Sequence, residues 1–384
     1  MSGRVAALNP QARWTLLLAC VLYAAVAIPI GIHKGGDFTQ ELRQTERLLH
    51  GLPLYTANPE KGIWWPPFTA LGLVPFALVA RWSLPLSKAC WAALNVACLG
   101  WSVARARSWA TGWSPVVLAL AAVGKPLHSN FEYLNVTPIL LALVVAAAAD
   151  LEAGRESRAA AWIGLATAIK GFPALLLLYL AYSRRWRGVA TGIAVAGGLT
   201  VGAMLSYGPV GAVRAVVDWL RLTGQTHMFA QMSSQSLSGF TFFFGWPPAA
   251  VWLAQGACLC GVGIVLRRTP RDSDAADEVG LVTLLAVLLS PIAWLYYYAL
   301  AWPAWISVLA RPTLHATQGR HLRVATLIVA GILTSGVLTL GLYPPFLWFI
   351  RRANYTWGGL LLLTMLVAER ASSGPLSISA TRSR

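Results

Sequence analysis

Apolar residues run in long, nearly unbroken stretches along this chain, near 14–32, 66–80, 86–104, 113–124, 134–149, 160–182, 188–206, 247–266, 279–290, 292–310, 324–342 and 354–368. A helix that crosses lipid needs roughly 20 mostly apolar residues, because hydrocarbon offers no partner to a free backbone N–H or C=O. The pattern predicts an all-α, polytopic membrane protein of about 12 transmembrane helices, and 11–13 crossings all fit. Ser290-Pro291 divides one stretch into two short helices or one broken helix. Two long connections, about 33–65 and 207–246, contain further helical periodicity. In 38–50, Phe38, Leu42, Thr45 and Leu49 share a face, with Glu41, Arg43, Glu46 and Arg47 elsewhere, as in an amphipathic helix at a membrane surface. Val213, Val216, Val217 and Leu220, with Arg214, Asp218 and Arg221, predict a second. Residues 1–370 read as a single multi-pass domain and 371–384 as a flexible C-terminal tail.

Composition agrees with a membrane protein. Hydrophobic residues make up 57% and charged residues 11%, against about 25% charged in soluble domains. The net charge of +16 does not mark a nucleic-acid binder, because the basic residues are not gathered on one face or tail. They sit between apolar runs. With the N-terminus cytoplasmic, Arg81/Lys88, Lys125, Arg184-Arg185-Trp186-Arg187, Arg267-Arg268/Arg271, Arg311/Arg320/Arg323 and Arg370 share its side, the usual bias of cytoplasmic loops. Arg105/Arg107 and Arg351-Arg352 fall opposite. The long connections then face outward. The run 14–32 is longer than a signal-peptide core and reads as the first helix. The five cysteines lie in apolar runs, and Cys258-Leu259-Cys260 has the spacing of neither a zinc knuckle nor a redox pair. They read as small buried hydrophobes.

Only 14 acidic residues are present. Asp150, Glu152, Glu156, Asp272, Asp274, Asp277 and Glu278 lie in short polar connections and read as solvated charge. Asp37 differs: within His33-Lys34-Gly35-Gly36-Asp37-Phe38 it stands where the first helix leaves the membrane. It is either a helix N-cap, a reactive carboxylate, or both. Tyr55 and Trp64-Trp65 suit an interfacial belt or stacking on sugar faces. Lys170, inside an apolar run and followed by Gly171-Phe172-Pro173, is costly in lipid. Such a residue marks a functional site facing the interior, here one suited to an anion such as phosphate, unless it snorkels to an interface or its helix begins later. Asn130, Glu132, Tyr133 and Asn135 interrupt two apolar runs, Ser234-Gln235-Ser236-Leu237 ends the second long connection, and Tyr296-Tyr297-Tyr298 follows the Ser290-Pro291 break. No Walker loop, zincin helix, nucleophile elbow or Rossmann fingerprint occurs.

In order, these pieces resemble glycosyltransferase family 87, a bacterial branch of the GT-C membrane glycosyltransferases. The likeness rests on Gly36-Asp37-Phe38, Gly51-Leu52-Pro53-Leu54-Tyr55, Trp65-Pro66-Pro67-Phe68, Asn135, Ala168-Ile169-Lys170-Gly171-Phe172-Pro173, Gln235-Ser236-Leu237 and Ser290-Pro291-Ile292-Ala293-Trp294. Members often carry aromatics shortly after the Asp, where this chain has Gln40 and Glu41, and His where it has Tyr296 and Tyr297. The resemblance implies a GT-C-like fold in a bacterial plasma (inner) membrane, with its active site facing outward. It implies transfer of a hexose, mannose by family, from a polyprenyl-phosphate donor to an extracytoplasmic lipid or glycan acceptor, with inversion. Asp37 is then the general base, with Glu41, Tyr55, Trp65, Asn135, Lys170, Gln235, Ser236, Tyr296 and Tyr297 as substrate-binding residues. Expected partners are membrane lipid, donor and acceptor, not nucleic acid; no cofactor or metal is expected. The rival is a lipid or lipid-linked-sugar flippase, which would favour paired repeats that this sequence lacks.

Overall fold

Local chemistry sets the helix boundaries. The Asn9 side chain accepts the Ala12 N–H at 2.7 Å ahead of Pro10, and Ser83 accepts the Leu86 N–H at 3.3 Å ahead of Pro85, both N-caps followed by a proline in the first turn. In the computed structural model, residues 9–55, 65–224, 234–268, 275–311, 317–339 and 352–372 are described. Among them every regular element is helical: α1 (Pro10–His33), α2 (Gly36–Leu49), α3 (Pro67–Gly72), α4 (Val74–Ala80), α5 (Leu84–Ala106), α6 (Trp113–Ala122), α7 (Gly124–Tyr133), α8 (Thr137–Glu152) and α9 (Glu156–Ile169). There follow α10 (Leu175–Tyr182), α11 (Trp186–Gly202), α12 (Gly208–Gly224), α13 (Gly239–Phe244), α14 (Pro248–Arg268), α15 (Ala275–Leu289), α16 (Trp302–Ala310), α17 (Thr317–Ser335) and α18 (Asn354–Ser372). The sequence expectations for Trp64, Arg271, Asp272, Asp274, Arg351 and the tail beyond Ser372 lie outside the described residues.

Two of these helices, α1 and α14, are long and apolar enough to cross a membrane, and α11 with the segment after it makes a third if that pair, bent by 43°, is one span. The remaining apolar stretches are shorter, interrupted or, like α5, α17 and α18, less apolar, so twelve full crossings are not reached among the described residues. The run 160–182, for example, breaks after α9, passes through a short 3-10 turn at Phe172–Ala174 and resumes as α10.

The chain divides into two compact units, residues 1–108 with 127–228 and residues 109–126 with 229–384. In the first, α1 and α5 run antiparallel: a side chain at Gly100 would meet Cys20 Sγ, while Lys88 reaches the carbonyls at the end of α1. Helices α9 and α11 run parallel, since Glu156 Oε1 accepts the Gly188 N–H at 2.9 Å while a Cβ at Gly164 would lie 2.5 Å from the Gly192 carbonyl oxygen. Small residues let these two backbones touch.

The charge at the α8–α9 turn is not solvated as expected. Asp150 is buried, accepting Arg155 Nε at 2.8 Å, Arg158 Nε at 2.6 Å and Trp162 Nε1 at 2.9 Å. Burial pushes its carboxyl upward, but these donors overcome burial and hold it below the usual range. The cysteines also differ from expectation: Cys90 and Cys260 are exposed and Cys20, Cys98 and Cys258 only half-buried on helix faces.

In the second unit α15 is buried along nearly its whole length, with Gly280 against Pro303 and Ala304 of α16. Glu278, also expected to be solvated, is buried there and pairs with buried Arg370 at 3.5 Å. Asp277 binds Arg311 in the same cluster, and Arg323 Nε donates to Glu369 at 2.6 Å.

The segment 66–80, expected to cross the membrane, begins and ends on one side of the first unit. Its start follows Trp65, which lies under Lys170; its end is held by Arg81, whose Nη2 donates to Glu46 of α2 at 3.0 Å. Pro75 and the hinge at Leu73 divide it into α3 and α4, each too short to span. Arg81 and Lys88 therefore lie where α1 ends, not where it begins, and Arg105 lies with Glu152, 3.7 Å away, at the opposite end. With the five native cysteines replaced, a Trp82→Cys variant is expected to label from the same membrane face as Lys34→Cys and opposite to Arg184→Cys. Labelling of position 82 together with position 184 would restore the crossing.

Candidate active site

Two turns cross where α1 ends. Gly35 adopts the left-handed region (φ 43°), and a Cβ there would lie 2.5 Å from the Gly31 carbonyl oxygen and 2.8 Å from Leu134 Cδ1, so only glycine fits. Its N–H donates to the Glu132 carbonyl at 3.0 Å. Across from it, Leu134 is itself left-handed (φ 53°) and fully buried, a conformation costing a non-glycine residue about 1–3 kcal/mol. Trp91 Nε1 donates to the Leu134 carbonyl at 2.9 Å and holds it there. The Trp91 ring stacks on Phe38 at 5.4 Å. Lys88 Nζ donates to the carbonyls of Ile32 at 3.1 Å and Lys34 at 3.4 Å, satisfying helix-end acceptors with a cation. At the rim, Lys34 pairs with Glu132 at 2.8 Å.

This crossing delivers Asp37. Gly35, not Asp37, occupies the N-cap of α2, and Asp37 stands in the first helical turn, where the positive end of the helix dipole favours a carboxylate. The capping alternative is thereby corrected. Asn135 Nδ2 donates to Asp37 Oδ2 at 2.8 Å, while Asn135 Oδ1 accepts the Val136 N–H at 2.8 Å. Because its oxygen is taken by a backbone donor, the Asn135 amide can present only its NH2 to the carboxylate. Asn135 N–H in turn donates to the Asn130 carbonyl at 3.0 Å, and Asn130 Oδ1 accepts the Thr137 N–H at 3.2 Å. Asp37 is half-buried; Asn130 and Asn135 are wholly buried.

One helical turn along α2 lies Glu41, 3% exposed. Burial pushes its carboxyl well above the ordinary range, Lys170 opposes that shift, and the nearby Asp37 charge adds to it. Lys170 follows the end of α9 in an extended conformation, at a break rather than in the middle of a helix. Its ammonium lies 3.8 Å from the centre of the Trp65 ring, a cation–π contact; burial pulls it down to about 7, against the raising effect of the Glu41 and Asp37 charges. Tyr55 OH donates to the Trp65 carbonyl at 2.7 Å, and Thr69 Oγ1 donates to the Ile169 carbonyl at 3.1 Å. Asp37, Glu41, Tyr55, Trp65, Asn135 and Lys170 thus gather within the first unit. The amphipathic expectation for α2 is corrected in one respect: Glu41 and Gln44 are buried while Leu49 is 40% exposed.

Gln235, Ser236, Tyr296 and Tyr297 belong to the second unit. There the Gln235 N–H donates to the Ala293 carbonyl, and the Leu237 N–H to the Leu288 carbonyl at 3.0 Å. Gln235 Oε1 accepts the Tyr355 N–H at 3.2 Å. Ser234 and Ser236 share a hydroxyl contact at 3.3 Å, and the buried rings of Tyr296 and Tyr297 meet edge to face at 5.1 Å. Sequence reading passed over three contributors: Lys88 was placed in a basic cluster, Trp91 carried only its apolar signal, and Gln44 went unremarked. The spacing 37–41–44, one face of a helix, was the available clue for Gln44.

The model of glycosyltransferase family 87 matches residues 64–291. The chain is similar to a polyprenol-phosphate-mannose-dependent alpha-(1-2)-phosphatidylinositol pentamannoside mannosyltransferase of Mycobacterium tuberculosis, 26% identical over 79% of this chain and 71% of the relative. The protein of the same description from Mycolicibacterium smegmatis is 29% identical over 82% of this chain and 76% of its own length. No solved structure matches.

The raised Glu41 carboxyl has a stability consequence. Between the ordinary carboxylate range and its higher folded value, the folded chain holds a proton that the unfolded chain has lost, so stability falls as pH rises through that window. Thermal unfolding of purified protein from about pH 5 to about pH 6.5, below the range where buried Lys170, pulled down to about 7, loses its proton, is expected to show this decline, and Glu41→Gln to flatten it. An unchanged slope in the variant would mean that Glu41 is already ionised.

Proposed function

The chain belongs to glycosyltransferase family 87, and on that premise we propose that it transfers a hexose, mannose in the first instance, from a polyprenyl-phosphate donor to a lipid or glycan hydroxyl outside the plasma membrane. The observation that carries this is the Asp37–Asn135 contact at 2.8 Å, with the Lys170 ammonium beside the same helix face. An acceptor hydroxyl gives its proton to the second oxygen of Asp37, the one not held by Asn135, as its own oxygen bonds to the anomeric carbon. The bond from that carbon to the phosphate oxygen breaks, and the electron pair leaves with polyprenyl phosphate. Direct displacement inverts the carbon. Asn135 holds one carboxylate oxygen and so aims the other, a charge-assisted hydrogen bond contributing about 1.5–3 kcal/mol. Lys170 offsets the charge that builds on the departing monophosphate, the kind of preorganised electrostatic stabilisation that needs no metal. Burial, which raises the Glu41 carboxyl, weakens its claim on that lysine's charge.

The outward orientation is part of this proposal. Arg105, Arg155, Arg158 and the 184–187 cluster lie at the end of the first unit opposite Asp37, which supports a cytoplasmic location for that end. The relatives' description as mannosyltransferases dependent on polyprenol-phosphate-mannose supports the donor.

Membranes or purified protein incubated with labelled polyprenyl-phosphate mannose are expected to release polyprenyl phosphate and label a lipid or glycan. Asp37→Asn is expected to lower transfer by about 10²–10⁴-fold, the usual share of a general base, in a folded, inserted protein. Lys170→Met is expected to impair donor use strongly. Full transfer by Asp37→Asn would remove the carboxylate from the chemistry.

A further inference from the structure

Seven residues along α2 from Asp37, on the same face as Asp37 and Glu41, lies Gln44. It is fully buried; its amide oxygen makes no hydrogen bond, and its nitrogen approaches only the Tyr55 hydroxyl, outside the geometry of an ordinary hydrogen bond. The neighbouring Tyr55 hydroxyl commits its own proton to the Trp65 carbonyl. Glu41 Oε2, one turn back on the same face, is likewise buried without a hydrogen-bond partner. Buried amides are almost always hydrogen-bonded, and an apolar side chain of similar shape would avoid the cost of leaving one unmade. Two such groups in succession, beside a carboxylate and a lysine, lack the polar partner that burial calls for.

We propose that Gln44, with Glu41, forms the subsite that reads the hydroxyls of the donor hexose. The inference rests on the proposed function and adds the residue that recognises the sugar. A primary amide offers a donor and an acceptor side by side, which matches two adjacent ring hydroxyls, each able to give and accept. Glu41 Oε2, buried without a hydrogen-bond partner, adds one further polar contact. The separation of Asp37 and Gln44 along the helix, about 10 Å at 1.5 Å per residue, accommodates an attacking hydroxyl at one end and the far edge of a hexose ring at the other. Lys170, facing Glu41 between them, lies where the phosphate joins the sugar. Trp65 and Tyr55, themselves tied by a hydrogen bond, supply the aromatic wall.

The test uses the full-length chain in lipid nanodiscs and measures equilibrium binding, so that no acceptor is needed. Probes are polyprenyl-phosphate mannose, its glucose and galactose counterparts, and sugar-free polyprenyl phosphate. Gln44→Met is expected to bind the preferred sugar phosphate about tenfold more weakly, the equivalent of one lost polar contact, and to lose discrimination among the epimers. It should bind sugar-free polyprenyl phosphate as the wild type does and unfold at the same or a higher temperature. Unchanged affinity and discrimination overturn the inference while leaving the function intact. A lower unfolding temperature also overturns it, because the amide would then be structurally satisfied. Equal weakening for the sugar-free lipid places the residue at the phosphate and overturns it too. A wild-type chain that binds none of the sugar phosphates overturns both the inference and the function on which it rests.

Discussion

The first unit depends on one crossing, where the backbone leaving α1 passes against the backbone entering α8. Gly35 and Leu134 are both left-handed there, and the Gly35 N–H meets the Glu132 carbonyl at 3.0 Å. Glycine takes this conformation freely, but Leu134 does so at a cost. Each is held by the other, by the Trp91 indole on one carbonyl and by the Lys88 ammonium on two more. Strain of this kind persists only where surrounding contacts over-determine it, and it gathers at functional sites. Here it places a buried asparagine and a half-buried carboxylate, drawn from residues 98 apart in the sequence, 2.8 Å from each other.

The face of α2 continues the same logic. A surface helix ordinarily turns its charge toward water, yet α2 buries Glu41 and Gln44 and leaves Leu49 partly exposed. Burying a carboxyl and an amide costs free energy unless they find partners. The apolar residues of that face, Phe38 against Trp91 and Leu48 in the cluster with Leu54, Met204 and Ala212, supply the packing that keeps the polar ones in place.

Much of this was legible in the sequence. The apolar runs gave helix positions close to those found, and the low charge content gave the class. Asp37, Asn135 and Lys170 stood out because each was a polar residue where lipid or tight packing makes polarity costly. What hydropathy could not reveal was direction. The run 66–80 has the composition of a crossing, but Leu73 and Pro75 fold it back, which moved Arg81 and Lys88 to the wrong end in the sequence reading. The same change removes an anomaly, since Arg105 now lies with Glu152 away from Asp37. The partners of Asp150 and the left-handed Leu134 were equally invisible, being set by tertiary contacts rather than local pattern. A helix at 124–133 was missed because its polar side chains interrupt the apolar periodicity.

In the proposed reaction Asn135 serves by holding the Asp37 carboxylate. A double-mutant cycle on sugar-transfer rate, with Asn135→Ala and Asp37→Asn made singly and together, measures this most directly. Asn135→Ala is expected to slow the wild type but to add nothing once Asp37 is asparagine. Losses that simply add in the double variant would contradict it, by showing that the two side chains act independently.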